Sequence, residues 1–421
     1  MVSKITCRKS LLISLVYEYL CDLITRRKIR QVIGIVSVST MILSLYWGNF
    51  AQSPRFIKLI FSIGIWTAVI TFPFSLLKKA RFSRFDNLLL LFLLLMGIFQ
   101  TLRSLFYTPP NEVVIGNKYV SLFFNEYTSL LFIPPLFTYL GISKHSPKYL
   151  FQSTIYYICI GLPFILLLKL PLASLAIYSI VFLPYVTNKY KILIILTILE
   201  SILAGLTGGR MFLIVVFFAI MSFLLIYVIK NVVITYAFCV CFSFAPVLII
   251  SSTILSYNQD TSFFQKITSD VDNEEMSVDT RTFLYVEVAE DLTNSDSWLL
   301  GKGAYSHYYS HYFSQNVEGG DNEERLLCEV PFLLLLLRSG LIYVLVYFSL
   351  LLIGVFKSLK SNNKFVQSLG IIILGWYFNS FIGDVSGCKL QNLALFLLLG
   401  VCLSPKWRKM ADRRIKKYVT I

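Results

Sequence analysis

The sequence predicts an all-α polytopic membrane protein, with about twelve transmembrane helices (within a range of about ten to thirteen) and one large extracytoplasmic loop carrying short helices. Three observations predict it. Of 421 residues, 56% are hydrophobic and 14% charged, with a mean hydropathy of +0.71, whereas soluble domains are about a quarter charged. Apolar runs of roughly 20 residues, the length that crosses a bilayer, recur along nearly the whole chain. The charges are sorted by position rather than scattered.

The first 30 residues carry Lys4, Arg8, Lys9, Arg26, Arg27, Lys28 and Arg30 around an apolar piece, Leu11–Leu20, which is interrupted by Glu18 and lacks a small-residue cleavage site. This pattern reads as a cytoplasmic basic arm (1–30) with an interfacial helix, not a signal peptide. Nine spans follow within 31–254, near 31–49, 56–77, 87–107, 127–142, 150–168, 171–187, 191–207, 211–229 and 232–254. Three more lie within 330–404, near 330–356, 366–383 and 390–404. A basic tail occupies 405–421. With the N-terminus inside, most of the 38 Lys and Arg fall in the arm, in KKARFSR, KHSPK and NKYK, at Lys230, after the tenth span and in the tail. Both termini are then cytoplasmic, as the positive-inside rule requires.

Residues 255–329 become a large extracytoplasmic loop of different chemistry, with fifteen acidic residues against Lys266, Arg281, Lys302 and Arg325. The chain's net charge of +15 therefore reports anchoring to anionic lipid on the cytoplasmic side, and no nucleic-acid partner is needed to explain it. The eight cysteines show no close pairing and read as small buried hydrophobes.

Position outside the membrane decides several motifs. Gly301-Lys302-Gly303 lacks the spacing by which backbone amides cradle a nucleotide phosphate. Asp270 and Asp272 look like the Asp-x-Asp pair that holds a metal and a nucleotide sugar, but an exposed acidic cluster is the default there. His307 and His311 would share one helical face; with no third ligand between them they read as surface or sugar-contacting residues. Trp298, Tyr305, Tyr308, Tyr309 and Tyr312 crowd the same run. Their amphipathic rings suit a membrane interface or the apolar face of a sugar equally.

Charges within or beside spans are costly and carry more information. Arg210 follows Thr207-Gly208-Gly209 at the outer start of the eighth span, where a fixed guanidinium fits a lipid pyrophosphate or a snorkelling interface role. Glu200 lies mid-span, Arg338 about two turns into the tenth span, and Arg103 near the outer end of the third.

From Arg210 to about residue 356, the chain resembles the polytopic bacterial polysaccharide polymerases (Wzy-type, for O-antigen and capsule repeat units) and the related O-antigen ligases. Three pieces carry the likeness: TGGRMFLIVV at the outer start of a span, DTRTFLYVEVAEDLTNSDSWLLGKG at the head of the outer loop, and CEVPFLLLLLRSGLIYVLVYF where that loop enters the next span. Ligases place a His at that loop exit, where this chain has Glu329, which favours a polymerase.

The resemblance implies glycosyl transfer between undecaprenyl-pyrophosphate-linked oligosaccharides at the outer face of the bacterial cytoplasmic (inner) membrane. It also implies a polysaccharide chain-length regulator as partner. Arg210, Arg281 and Arg325 are the expected pyrophosphate-binding cations. Glu329, then Glu324, are the expected proton acceptors. Trp298, Tyr305, Tyr308, His307 and His311 are the expected glycan contacts. No cofactor and no metal is expected. The rival readings are a lipid-linked oligosaccharide flippase and an O-antigen ligase.

Overall fold

The computed structural model describes residues 26–40, 55–71, 82–106, 129–168, 178–206, 210–256, 282–310, 324–325, 328–383 and 390–420. Of these, 83% are helical. The helices are α1 (26–40), α2 (Arg55–Thr71), α3 (Arg84–Arg103), α4 (Ile133–Leu140), α5 (Ser146–Leu168), α6 (Asn188–Leu206) and α7 (Arg210–Phe223), the last continuing as a π-helix over Leu224–Ile229. They are followed by α8 (Val232–Ser256), α9 (Thr282–Asn294), α10 (Pro331–Leu359), α11 (Lys364–Asn379), α12 (Leu390–Leu403), α13 (Pro405–Arg408) and α14 (Asp412–Val419). Between α9 and α10, β1 (Tyr308–Tyr309) and β2 (Glu324–Arg325) form a small antiparallel pair.

Three stretches among the described residues are long and apolar enough to cross a membrane: Arg84–Phe106, Val232–Ser251 and Pro331–Leu359. The sequence predicts about twelve such spans, and local chemistry accounts for several differences. The described part of the expected span 127–142 holds a 3-10 turn, Ser129–Leu131, followed by α4, which has only 8 residues. Pro134 and Pro135 are tolerated only in a first turn, so α4 cannot begin earlier. The described part of the expected span 171–187 holds the 3-10 helix Ile180–Tyr185, with Pro184 inside it; Pro removes the N–H that an α-helical ladder needs. The expected span 330–356 is one helix in extent, but Gly340 (φ 74, ψ 176) breaks it.

The bundle has two chemically different ends. α3 and α10 run antiparallel: near the start of α3, Asp86 is fully buried and accepts from Lys357, near the end of α10, at 2.6 and 2.7 Å. The C-terminal tail closes this same end. Asn363 caps α11 by accepting the Val366 N–H at 2.9 Å, and its Nδ2 donates to the carbonyls of Trp407 and Met410. The buried Trp407 indole donates to the Gly141 carbonyl at 3.0 Å, taking up the last carbonyl beyond α4. α14 lays Ile415 and Val419 against the bundle and leaves Arg413, Arg414, Lys416 and Lys417 exposed, the division expected of an amphipathic helix on a surface. The other end carries α9, the small sheet and the acids Glu287, Glu290, Asp291, Asp296 and Glu329.

Candidate functional site at the loop-bearing end

α9 holds the loop to the bundle by an apolar stripe. Leu284, Val288 and Leu292 are buried along it, at the four-residue spacing of one helical face. The Tyr285 hydroxyl donates to the Phe381 carbonyl at 2.5 Å, beyond the end of α11. On the other side of α9, the Lys302 ammonium donates to both Asp291 oxygens (3.0 and 2.7 Å) and to the His307 carbonyl (3.1 Å). The lysine of Gly301-Lys302-Gly303 is thus engaged in fastening the loop.

The segment Trp298–Gly303 runs into the break in α10. Lys302 and Gly303 N–H groups donate to the carbonyls of Leu337 (2.7 Å) and Arg338 (3.0 Å), while Leu341 and Ile342 N–H groups donate to the carbonyls of Trp298 (2.8 Å) and Leu299 (3.4 Å). Backbone groups left over where a helix is interrupted must find partners, and the loop supplies them from both sides of Gly340. A Cβ on Gly340 would lie 2.3 Å from the Leu299 oxygen, and one on Gly301 2.6 Å from the Gly340 nitrogen. Both glycines also hold positive φ, 74° and 67°, so neither position admits an ordinary side chain. The end of α3 completes the junction: Gln100 Nε2 donates to the Leu300 carbonyl, Arg103 Nη1 to the Gly301 carbonyl at 2.8 Å, and Ser104 Oγ accepts the Tyr305 N–H at 3.4 Å.

Beyond this junction β1 and β2 pair, Tyr308 opposite Arg325 and Tyr309 opposite Glu324. Tyr308 is 0% exposed and its hydroxyl has no hydrogen-bond partner among the described residues. Burial raises its pKa; Cys328 adds to the rise, Arg325 opposes it, and Glu287 and Glu329 add further. Burial likewise pushes the Cys328 thiol up to about 12, opposed by the Val330 backbone N–H. Glu287 is buried, whereas Glu329 and Arg325 are half-buried. The cluster has enclosed members (Tyr308, Cys328 and Glu287) and a carboxylate and a guanidinium that remain partly open. A partly open carboxylate can accept a proton, and a guanidinium can grip phosphoryl oxygens.

Pro331, two residues past Glu329, also lines a cleft of ≈ 50 Å³ shared with α11 and α12, whose other walls include Trp376, Asn379, Asn392 and Phe396. Asn379 is 3% exposed and its Oδ1 has no hydrogen-bond partner among the described residues.

Of the sequence-predicted residues, the structure brings Glu329, Arg325 and Tyr308 into one cluster. Glu324 contributes β2 backbone. Trp298 is 37% exposed and its Nε1 donates to Thr293 Oγ1 at 3.1 Å. Tyr305 and Tyr308 are 1% and 0% exposed, so their rings pack inside rather than stand on the surface. His307 is half-buried. Arg210 is the first residue of α7. Arg281 and His311 lie outside the described residues, as do Asp270 and Asp272. Arg338 is 1% exposed, a packed charge beside the junction rather than a surface one.

Glu287, Cys328, Gln100 and Asn379 were not singled out from the sequence. Gln100 and Asn379 were visible as polar residues near the ends of apolar runs, whereas Glu287 resembles any acid on a loop helix. Among the described residues no three His, Cys, Asp or Glu come together to hold a metal. No family model, curated protein or solved structure matches the chain.

Proposed function

We propose that this chain polymerises undecaprenyl-pyrophosphate-linked oligosaccharide repeat units by glycosyl transfer at the outer face of a bacterial cytoplasmic membrane, as the Wzy-type polymerases that it resembles do. In this reading about twelve spans surround the loop, the tail-bearing end faces the cytoplasm, and the acidic end faces outward. The observation that carries the reading is the junction at Gly340. Two of the three sequence pieces that carry the resemblance, Leu-Leu-Gly-Lys-Gly and Gly-Leu-Ile, interlock there backbone to backbone, and the cluster around Glu329 lies beside them.

Glu329 accepts the proton of the attacking sugar hydroxyl while the bond from the donor sugar to its lipid pyrophosphate breaks and the new glycosidic bond forms. Arg325, with Arg210 and Arg281, takes up the charge of the departing pyrophosphate. Purified protein given a lipid-linked repeat unit in detergent is expected to make longer glycans. No bond formation in detergent, with transport in sealed vesicles, would identify a flippase instead. Full-length polymer from Glu329→Gln at matched expression would remove the proton-acceptor assignment, and unaltered ladders from both Arg210→Ala and Arg281→Ala would remove the cationic clamp.

A further inference from the structure

At the tail-bearing end, the π-helical close of α7 turns into α8 through Lys230 and Asn231. Lys230 holds φ 55, the left-handed region that glycine or asparagine enters with least strain. Its N–H donates to the Leu225 carbonyl at 3.0 Å, and the Asn231 side chain caps α8 by accepting the N–H groups of Val233 and Ile234 at 2.9 and 3.3 Å. A lysine at a strained turn position is a place to look for a use of its ammonium.

The turn, the end of α10 and the start of α11 enclose a cleft of ≈ 110 Å³. Leu225, Ile226 and Leu359 line it with apolar surface, Lys230 and Lys364 supply its charges, and no carboxylate is among its walls. The Lys364 ammonium lies 5.6 Å from the Tyr227 ring centroid, held over an aromatic face that leaves its charge in place. The nearby acid, Asp412, accepts the Lys364 backbone N–H at 2.9 Å. Lys302 and Lys357 each have a carboxylate partner; among the described residues Lys230 and Lys364 have none.

Beside the cleft, Val228, Ile229, Val232, Val233 and Ile234 are 59, 45, 66, 76 and 48% exposed. So continuous an apolar patch calls for a nonpolar neighbour, and α8, which begins here, contains one of the three stretches able to cross a membrane. Unpaired ammonium groups above an apolar collar match the cross-section of a phospholipid, with its phosphate in the cleft and its acyl chains along the collar.

We propose that this cleft binds the phosphate headgroup of an anionic phospholipid. The site is independent of glycosyl transfer and would stand if that reading failed. Native mass spectrometry of the full-length protein, released from detergent with phosphatidylglycerol, phosphatidylcholine or inorganic phosphate, tests it. One phosphatidylglycerol is expected to be retained in preference to phosphatidylcholine. The Lys230→Gln/Lys364→Gln pair should lower that retention on the order of tenfold, whereas Lys406→Gln/Lys409→Gln, at exposed positions of the same end, should not. Equal retention of both lipids, unchanged retention in the Lys230/Lys364 pair, or inorganic phosphate binding as tightly as phosphatidylglycerol would each overturn the proposal. Thermal midpoints within error of the parent would show that both pairs of substitutions leave the fold intact.

Discussion

The two ends of the bundle are fastened by different means. At the loop-bearing end, the segment Trp298–Gly303 is joined to α10 by four backbone hydrogen bonds across two glycines. At the tail-bearing end, one backbone bond, from the Asn362 N–H to the Arg408 carbonyl at 2.9 Å, is joined by a larger set of side-chain bonds: Asp86 with Lys357, Asn363 with the carbonyls of Trp407 and Met410, and Trp407 with the Gly141 carbonyl. A joint made of backbone tolerates no added atom. A joint made of side chains can be weakened one group at a time. Glu329 and Arg325 remain partly open at the first end, whereas Asp86 at the second is sealed into its pair.

The largest expected effect is therefore at Gly340. Gly340→Val must leave a backbone region that only glycine adopts readily, and its side chain would strike the Leu299 carbonyl. We expect a loss of about 3 kcal/mol or more in the stability of the docked loop. It should be read as proteolysis within 282–310 at a protease concentration that leaves the parent intact. A parent-like cleavage pattern would show that the junction does not hold the loop.

The ion pair at the tail-bearing end is asymmetric in its exposure. The Asp86 side chain is 0% exposed and that of Lys357 is 28% exposed. Lys357→Ala strands a buried carboxylate and should cost about 3 kcal/mol, whereas Asp86→Ala leaves a lysine that can reach water and should cost about 1 kcal/mol. Equal losses in thermal unfolding of the two variants would mean that the pair is not sealed on the aspartate side.

A pH dependence belongs to the loop-bearing end. The Cys328 thiol is held up to about 12 by burial, and an unfolded thiol ionises near about 8.5. The folded state thus keeps a proton that the unfolded state gives up. Its stabilising contribution is complete below about pH 8.5 and declines as pH rises toward the folded value, with a slope of at most about 1.4 kcal/mol per pH unit. Cys328→Ala should flatten the alkaline limb of a stability profile, and an unchanged limb would assign it elsewhere. The smallest effect is expected for Lys302→Ala, which loses a partly exposed pair with Asp291 and should cost about 0.5 kcal/mol, read as a small fall in the thermal midpoint.

Much of this architecture was legible in the sequence because it rests on side-chain polarity. Most of the described apolar runs became helices, and the basic segments KHSPK, Lys357–Lys364 and the tail met at one end while the acidic loop helix went to the other. The junction left a fainter trace. Backbone pairing has no side-chain signature beyond the glycines it needs, so Gly301, Gly303 and Gly340 were visible but their contact was not. Proline decided where α4 begins, a local restriction that hydropathy averages away. Tyr305 and Tyr308 were ambiguous for another reason: tyrosine suits a core, an interface or a sugar face equally, and only their neighbours put them inside. Glu287 and Cys328 joined Tyr308 through tertiary packing alone.

Amide hydrogen exchange in the full-length protein tests whether Trp298–Gly303 completes the broken α10. The Lys302, Gly303 and Leu341 amides should exchange about as slowly as the helix interiors that flank them, and Gly340→Val should release them while α11 stays protected. Exchange of those three amides in the parent at the rate of open loop would show that the segment does not complete the helix.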